Sequence, residues 1–344
     1  MRKILLLIAS ILVISGCSSN DSNQATVNSV SEESVSQKSL FSITNIQETG
    51  IEGVSPELIK DSEGNYLLFA TNMSNKRVLK SSDAITFSEQ DINLPIGSDY
   101  SLIQKSDGTW LLYFTGQDMK NMPNQGQPNQ PGQPVQPNQN QPGQPVQPPQ
   151  PGQEPAQQMQ AVAGGKKVFV STSKDLIIFS EPVETGIEQT ENTMAWGVPD
   201  TYFNLNGEIE MMWVTQIPDE RYEVLVTATS KDGIKFTQND GYVIKDGYVD
   251  PYMLQVEEGN WILMLSTTPD PSRLPQKIYM AYSKDGKNWD IEKEPLMFEE
   301  GTNYLDPAAV KINDGEWKLI LTTAIQGDAM NNKYRYLSAD LKKN

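Results

Sequence analysis

The 344 residues carry a formal net charge of −17, no histidine and a single cysteine. Such acidity excludes nucleic-acid binding through phosphate contacts, and the lack of histidine excludes Ser-His-Asp and Cys-His nucleophile systems and imidazole metal sites. Acid–base chemistry must come from Asp, Glu, Tyr or Lys, and one cysteine leaves nothing for a disulfide.

The chain opens with Met1-Arg2-Lys3, an apolar run from Ile4 to Ile14, then Ser15-Gly16-Cys17. A charged start, a short apolar core and a small-residue cleavage site make a secretory signal, and the run is too short to span a bilayer as a helix. Cysteine after Ile-Ser-Gly resembles a bacterial lipobox. That resemblance implies a signal peptide over residues 1–16 and lipidation of Cys17. The protein is then expected in the bacterial cell envelope, extracytoplasmic and held to a membrane through its anchor only. Residues 17–39 are rich in Ser, Asn, Gln and Val and read as a flexible tether.

From residue 40 onward a phrase recurs five times: Gly, any residue, a large hydrophobe, then apolar residues running to Ser or Thr. Its copies start at Gly64, Gly108, Gly207, Gly259 and Gly315. Each has strand composition after a Gly turn, and repeats of about 50 residues indicate a solenoid, propeller or array. The expectation is an all-β, five-bladed β-propeller over residues 40–344, monomeric. The fifth copy runs out of chain after its third strand, so Leu40–Gln47 is expected to supply the missing outer strand and close the ring.

A second phrase, Ser-x-Asp-x-x-x-aromatic, occurs at Ser81/Asp83/Phe87, Ser173/Asp175/Phe179, Ser230/Asp232/Phe236 and Ser283/Asp285/Trp289, with a truncated copy at Ser338/Asp340. Two copies contain Asp-Gly, a hairpin signal, and their Ser and Asp are expected to cap turns locally. Third strands are expected just before them, at Arg77–Lys80, Lys167–Val170, Tyr222–Thr227, Lys277–Tyr282 and Tyr334–Leu337. Residues 119–165, dominated by Pro, Gln, Gly and Asn, cannot bury a core and read as a disordered insertion within the second blade.

Counting back from the repeat glycines aligns five acids. Asp99, Asp250 and Asp306 lie nine residues before theirs; Glu57 and Asp200 lie seven before. Equal parity puts all five side chains on one side of an extended strand, hence around one mouth of a central channel, where ligands bind. Crowded carboxylates need protons, a cation or hydrogen-bond donors. Such a ring suits glycoside hydrolysis, which needs one protonated and one ionised carboxylate, and equally suits Ca²⁺. Tyr100, Trp196, Tyr202, Tyr248, Tyr252 and Tyr304 stand beside the acids. All but Tyr248 are taken as candidate sugar-stacking faces, with blade packing as the alternative role.

The Asp-Pro and Pro-Glu/Pro-Asp strand starts, the Gly-x-aromatic second strand and the Ser-x-Asp-Gly turn resemble the five-bladed propeller glycoside hydrolases, the clan of arabinanases, β-xylosidases, levansucrases and invertases. Trp196-Gly197-Val198-Pro199-Asp200 is similar to the Trp-Ala-Pro-Glu/Asp strand of family 43, and Val249-Asp250-Pro251 and Leu305-Asp306-Pro307 to its Asp-Pro strands. The resemblance implies a glycan-directed propeller with Asp99 or Asp306 as base, Asp250 as the carboxylate that tunes the acid, and Glu57 as general acid. Two departures stand against catalysis: Ser55 occupies the first-blade Asp register, and no Glu precedes a later Gly-Pro strand start. The alternative is a non-catalytic propeller binding glycans or protein, with Ca²⁺ as the cofactor that could stabilise it.

Overall fold

In the computed structural model, residues 39–71, 76–116, 167–188, 199–329 and 333–344 are described. Strand β1 (Phe41–Glu52) opens the fold. The first blade follows as β2 (Val54–Lys60), β3 (Tyr66–Thr71), β4 (Lys76–Ser81) and β5 (Ser88–Gln90); the second as β6 (Ser98–Gln104), β7 (Trp110–Gly116), β8 (Lys167–Ser173) and β9 (Val183–Glu188). The third is β10 (Asp200–Phe203), β11 (Ile209–Thr215), β12 (Val224–Ser230) and β13 (Thr237–Gln238). The fourth is β14 (Tyr248–Glu257), β15 (Asn260–Thr267), β16 (Ile278–Ser283) and β17 (Trp289–Ile291). The fifth contains β18 (Thr302–Asn313), β19 (Glu316–Ile325) and β20 (Arg335–Lys343), and the one helix among the described residues, α1 (Gln326–Ala329), is a single turn.

Each blade is a four-stranded antiparallel meander, and the fifth is completed from the other end of the chain, in the order β1-β20-β19-β18. Phe41 pairs with Lys343 and Glu52 with Arg335. The expected Leu40–Gln47 strand therefore closes the ring but runs five residues further, with bulges between Thr44 and Gln47 and between Glu48 and Glu52. The nine-residue β20 offers pairing groups along that whole length.

The repeat phrase is explained by two constraints. Its glycines all have positive φ, between 72° and 85°, in the hairpins joining first and second strands. Space around four of them is open, so conformation rather than packing requires the missing Cβ. The apolar run after each glycine is a second strand buried on both faces. On β15, Ile262 and Met264 pack against the fifth blade while Leu263 and Leu265 pack against the third. Five such clusters fill the five interfaces between neighbouring blades.

The Ser-x-Asp phrase closes the third strand of four blades. Its Ser is the last paired residue, opposite Tyr66, Trp110, Ile209 or Trp261, so these strands end up to three residues beyond the expected bounds. In each copy the Ser hydroxyl accepts the N–H three residues on, as with Ser283 Oγ and Gly286 at 2.9 Å, and the Asp accepts the N–H groups two and three residues on. These donors hold Asp83 down to about 2. The third residue after each Ser has positive φ, which Gly233 and Gly286 meet without strain and Ala84 and Leu176 meet with it. The truncated copy forms no turn: Asp340 lies within β20 and pairs with Lys318.

Strands β7 and β8 pair directly, from Trp110–Ser173 to Gly116–Lys167, so the Pro/Gln-rich stretch does interrupt the second blade between its second and third strands. That stretch, the signal peptide, Cys17, the tether up to residue 38 and Trp196 lie outside the described residues.

Candidate functional site: the axial acids

The five aligned acids all stand on the innermost strands and all are buried, between 5% and 8% exposed. The local backbone differs from a plain strand. Ser55, Asp99, Asp250 and Asp306, the residues nine before the glycines of the first, second, fourth and fifth repeats, have φ between 45° and 55°. Pairing breaks at the same place in these four blades, between Val54 and Glu57, Ser98 and Ser101, Val249 and Tyr252, and Leu305 and Ala308. A left-handed residue in a bulge re-aims the side chain, so strand parity alone does not set the direction of these acids.

The bulge divides the acids into two sets. Asp99, Asp250 and Asp306 feel one another's charge, and the carboxyls of Asp250 and Asp306 are hydrogen-bonded together. Two carboxyls in contact hold a proton between them and titrate as a pair. Glu57 and Asp200 form the other set, with the Asp200 charge acting on Glu57. Burial is the main cause of every shift here. It pushes Asp200 up to about 8, against the N–H groups of Met253 and Thr201, and Asp250 up to about 6, against the Ser266 hydroxyl and the Asp306 N–H. Burial followed by the neighbouring Asp250 charge raises Asp306 well above the usual range, and burial followed by Asp200 does the same to Glu57.

Three of the five acids reach across to the next blade. Glu57 Oε1 accepts the Leu102 N–H at 3.4 Å, Asp200 Oδ2 the Met253 N–H at 2.6 Å, and Asp306 Oδ2 the Ser55 N–H at 2.9 Å. Asp250 accepts from its own blade through the Ser266 hydroxyl. Asp99 is held within its blade by Thr115 Oγ1 at 2.5 Å and Ser98 Oγ at 3.0 Å. Sequence reasoning missed Ser101, which shares the offset of Glu57 and Asp200. Its Oγ accepts the Thr201 N–H at 3.1 Å, making the same bond to the following blade. Reading that column through all five repeats would have found it.

Glu57, Asp200, Asp250 and Asp306, with their neighbouring prolines and Tyr252, line one axial cavity. It offers about 10 Å³ to the centre of a water-sized sphere, room for about one water and far below the several hundred Å³ of a small-molecule site. Among the described residues no His, Cys, Asp or Glu cluster has a metal-holding arrangement. One oxygen of each acid accepts from an N–H or O–H donor.

The aromatic residues are spread wider. Tyr252 reaches the cavity and donates to the Ala309 carbonyl at 2.8 Å, across the seam between the fourth and fifth blades. Tyr100 is wholly buried, donating to the Pro95 carbonyl at 2.8 Å. Tyr202 donates to Glu210 and meets Trp261 edge-on, and Tyr304 donates to Glu299.

No protein-family model matches the sequence, and no curated protein matches it. Solved structures do match. An endo-arabinase from Bacteroides thetaiotaomicron superposes with a TM-score of 0.55 at 12% identity, over 87% of this chain and 96% of that one. An α-L-arabinanase from Cellvibrio cellulosa, complexed with arabinohexaose, gives 0.52 at 12%, over 84% and 91%. A xylan β-1,4-xylosidase from Bacillus halodurans gives 0.54 at 11%, over 84% and 52%.

This chain has the five-bladed fold of these enzymes. It spans about half the length of the xylosidase and of a GH43 protein from Bacillus licheniformis, and nearly all of the endo-arabinase. The likeness is one of fold, and the chemistry has to be argued from the axial acids themselves.

Proposed function

We propose that the chain is a glycan-binding propeller, carried on the outer side of a bacterial membrane by a lipid on Cys17, in which the axial acids hold the ring together and do not cleave. The observation that carries this reading is the axial cavity: buried acids, most bonded to the next blade, open onto space for a single water. A glycosidase needs its two carboxyl groups on either side of a sugar ring. The glycan partner is inferred from the shared fold, whose arabinanase example was solved with arabinohexaose.

Hydrolysis is the second reading, favoured by one feature. Asp200, pushed up to about 8, stays protonated at neutral pH as a general acid must. On that reading Glu57 or Asp200 is the acid, Asp99 or Asp306 the base, and Asp250 the tuning group.

A panel of plant and bacterial polysaccharides, scored for retention of the purified protein and for reducing-sugar release, separates the two. Retention without release is expected; release would favour the hydrolase, and neither would remove the glycan reading. The anchor has its own test. Labelled fatty acid should enter the protein in its bacterial host, and Cys17→Ser should abolish both labelling and membrane retention.

A further inference from the structure

Two arginines stand apart from the axial acids, on the same face of the propeller. Arg221 and Arg273 lie in the connections that follow the second strands of the third and fourth blades, and Tyr248, two residues before Asp250, starts the fourth blade's inner strand. The Arg221 guanidinium sits over the Tyr222 ring at 4.8 Å, and Arg273 sits over both Tyr222 at 5.2 Å and Tyr248 at 5.7 Å. Tyr248 is braced edge-on by Tyr279 at 5.5 Å. Arg273 Nη1 donates to the Asp246 carbonyl at 2.6 Å, which fixes the fork without neutralising it.

We propose that this arginine–tyrosine platform binds the carboxylate of an acidic sugar, making the glycan a uronic-acid-containing one. Among the described residues neither guanidinium has a carboxylate within ion-pair distance. Asp270 feels the charge of both arginines, but its Oδ1 is engaged by the Ser272 N–H at 2.8 Å and hydroxyl at 2.5 Å. The two guanidinium groups converge on one ring, Tyr222, and so present their donors side by side. A guanidinium is planar and presents paired N–H donors that match a carboxylate, and aromatic rings hold that plane. Orientation set before binding lowers the entropy lost on binding. The tyrosine rings, occupied by guanidinium, serve as supports here, so the platform recognises charge.

The inference rests on the glycan reading above, and its test keeps the two apart. Oligogalacturonate and oligomannuronate would be titrated calorimetrically into the full-length protein in 0.15 M salt, beside their methyl esters and neutral arabinan and xylan oligomers. The expected result is binding of a free acid at least tenfold tighter than its ester, with Arg221→Gln and Arg273→Gln each removing that preference. Arg221 is exposed, so Arg221→Gln should leave the melting temperature unchanged, which a merely structural arginine would not do alongside lost binding. Equal binding of acid and ester, or retention of neutral oligomers alone, would overturn the carboxylate site while leaving the glycan reading standing. No binding of any oligomer would overturn both.

Discussion

At the scale of single residues, the acids fall into two classes with opposite pH behaviour. Asp83 and Asp285, held low by turn N–H donors, contribute stability that is present above their unfolded value near 3.8 and lost as pH falls below it. Asp200 and Asp250, raised to about 8 and about 6, bind protons in the folded chain that the unfolded chain has already released. Stability must therefore fall as pH rises from about 4 towards 8, then level off. Melting temperature against pH should peak in mild acid, near pH 4–5. Asp200→Asn should flatten the alkaline limb and raise the melting temperature at pH 8, since the amide oxygen can still accept the Met253 N–H without carrying charge. A wild-type curve rising through pH 8, or an Asn variant less stable there, would contradict the burial argument. Position nine also marks the limit of sequence reading. The alignment of Asp99, Asp250 and Asp306 was plain from the glycines, but nothing in an Asp-Pro or Asp-Tyr pair announces positive φ. The split into two sets followed from that backbone.

At the scale of elements, the Ser-x-Asp turns were legible because their chemistry is local: donor and acceptor lie within three residues, so spacing specifies them. Ser283 is 6% exposed and is the acceptor for the Gly286 N–H. Ser283→Ala leaves that donor buried and unpaired, which costs about 1–3 kcal/mol and should lower the denaturation midpoint without altering glycan retention. Loss of retention with unchanged stability would give the turn a binding role instead. Long-range partners were less legible. β1 was expected from the missing outer strand, but its length depended on β20, some 290 positions away. Tyr100, Tyr202 and Tyr304 carry the same composition whether they stack on sugar or on a blade, and only their buried hydroxyl bonds tell the two apart.

At the scale of the whole molecule, closure is what a ring of five similar interfaces requires, and β1 provides it through a strand the last repeat lacks. Phe41 anchors that closure, 2% exposed and set against Trp317 at 5.6 Å and Tyr282 at 6.4 Å. Phe41→Ala should cost about 3–5 kcal/mol and broaden unfolding as the fifth blade detaches first. A sharp transition with an unshifted midpoint would show that β1 is not the clasp. Five blades and their closure were readable because the period is written in glycines. The narrowness of the axis was not, since it depends on five inner strands meeting at once. That narrowness is the ground for reading the protein as a binder, and the direct check is reducing-end release from a retained polysaccharide by wild type, Glu57→Gln and Asp250→Asn. The account predicts no release by any of the three and equal retention by all. Release by wild type that either substitution abolishes would contradict it.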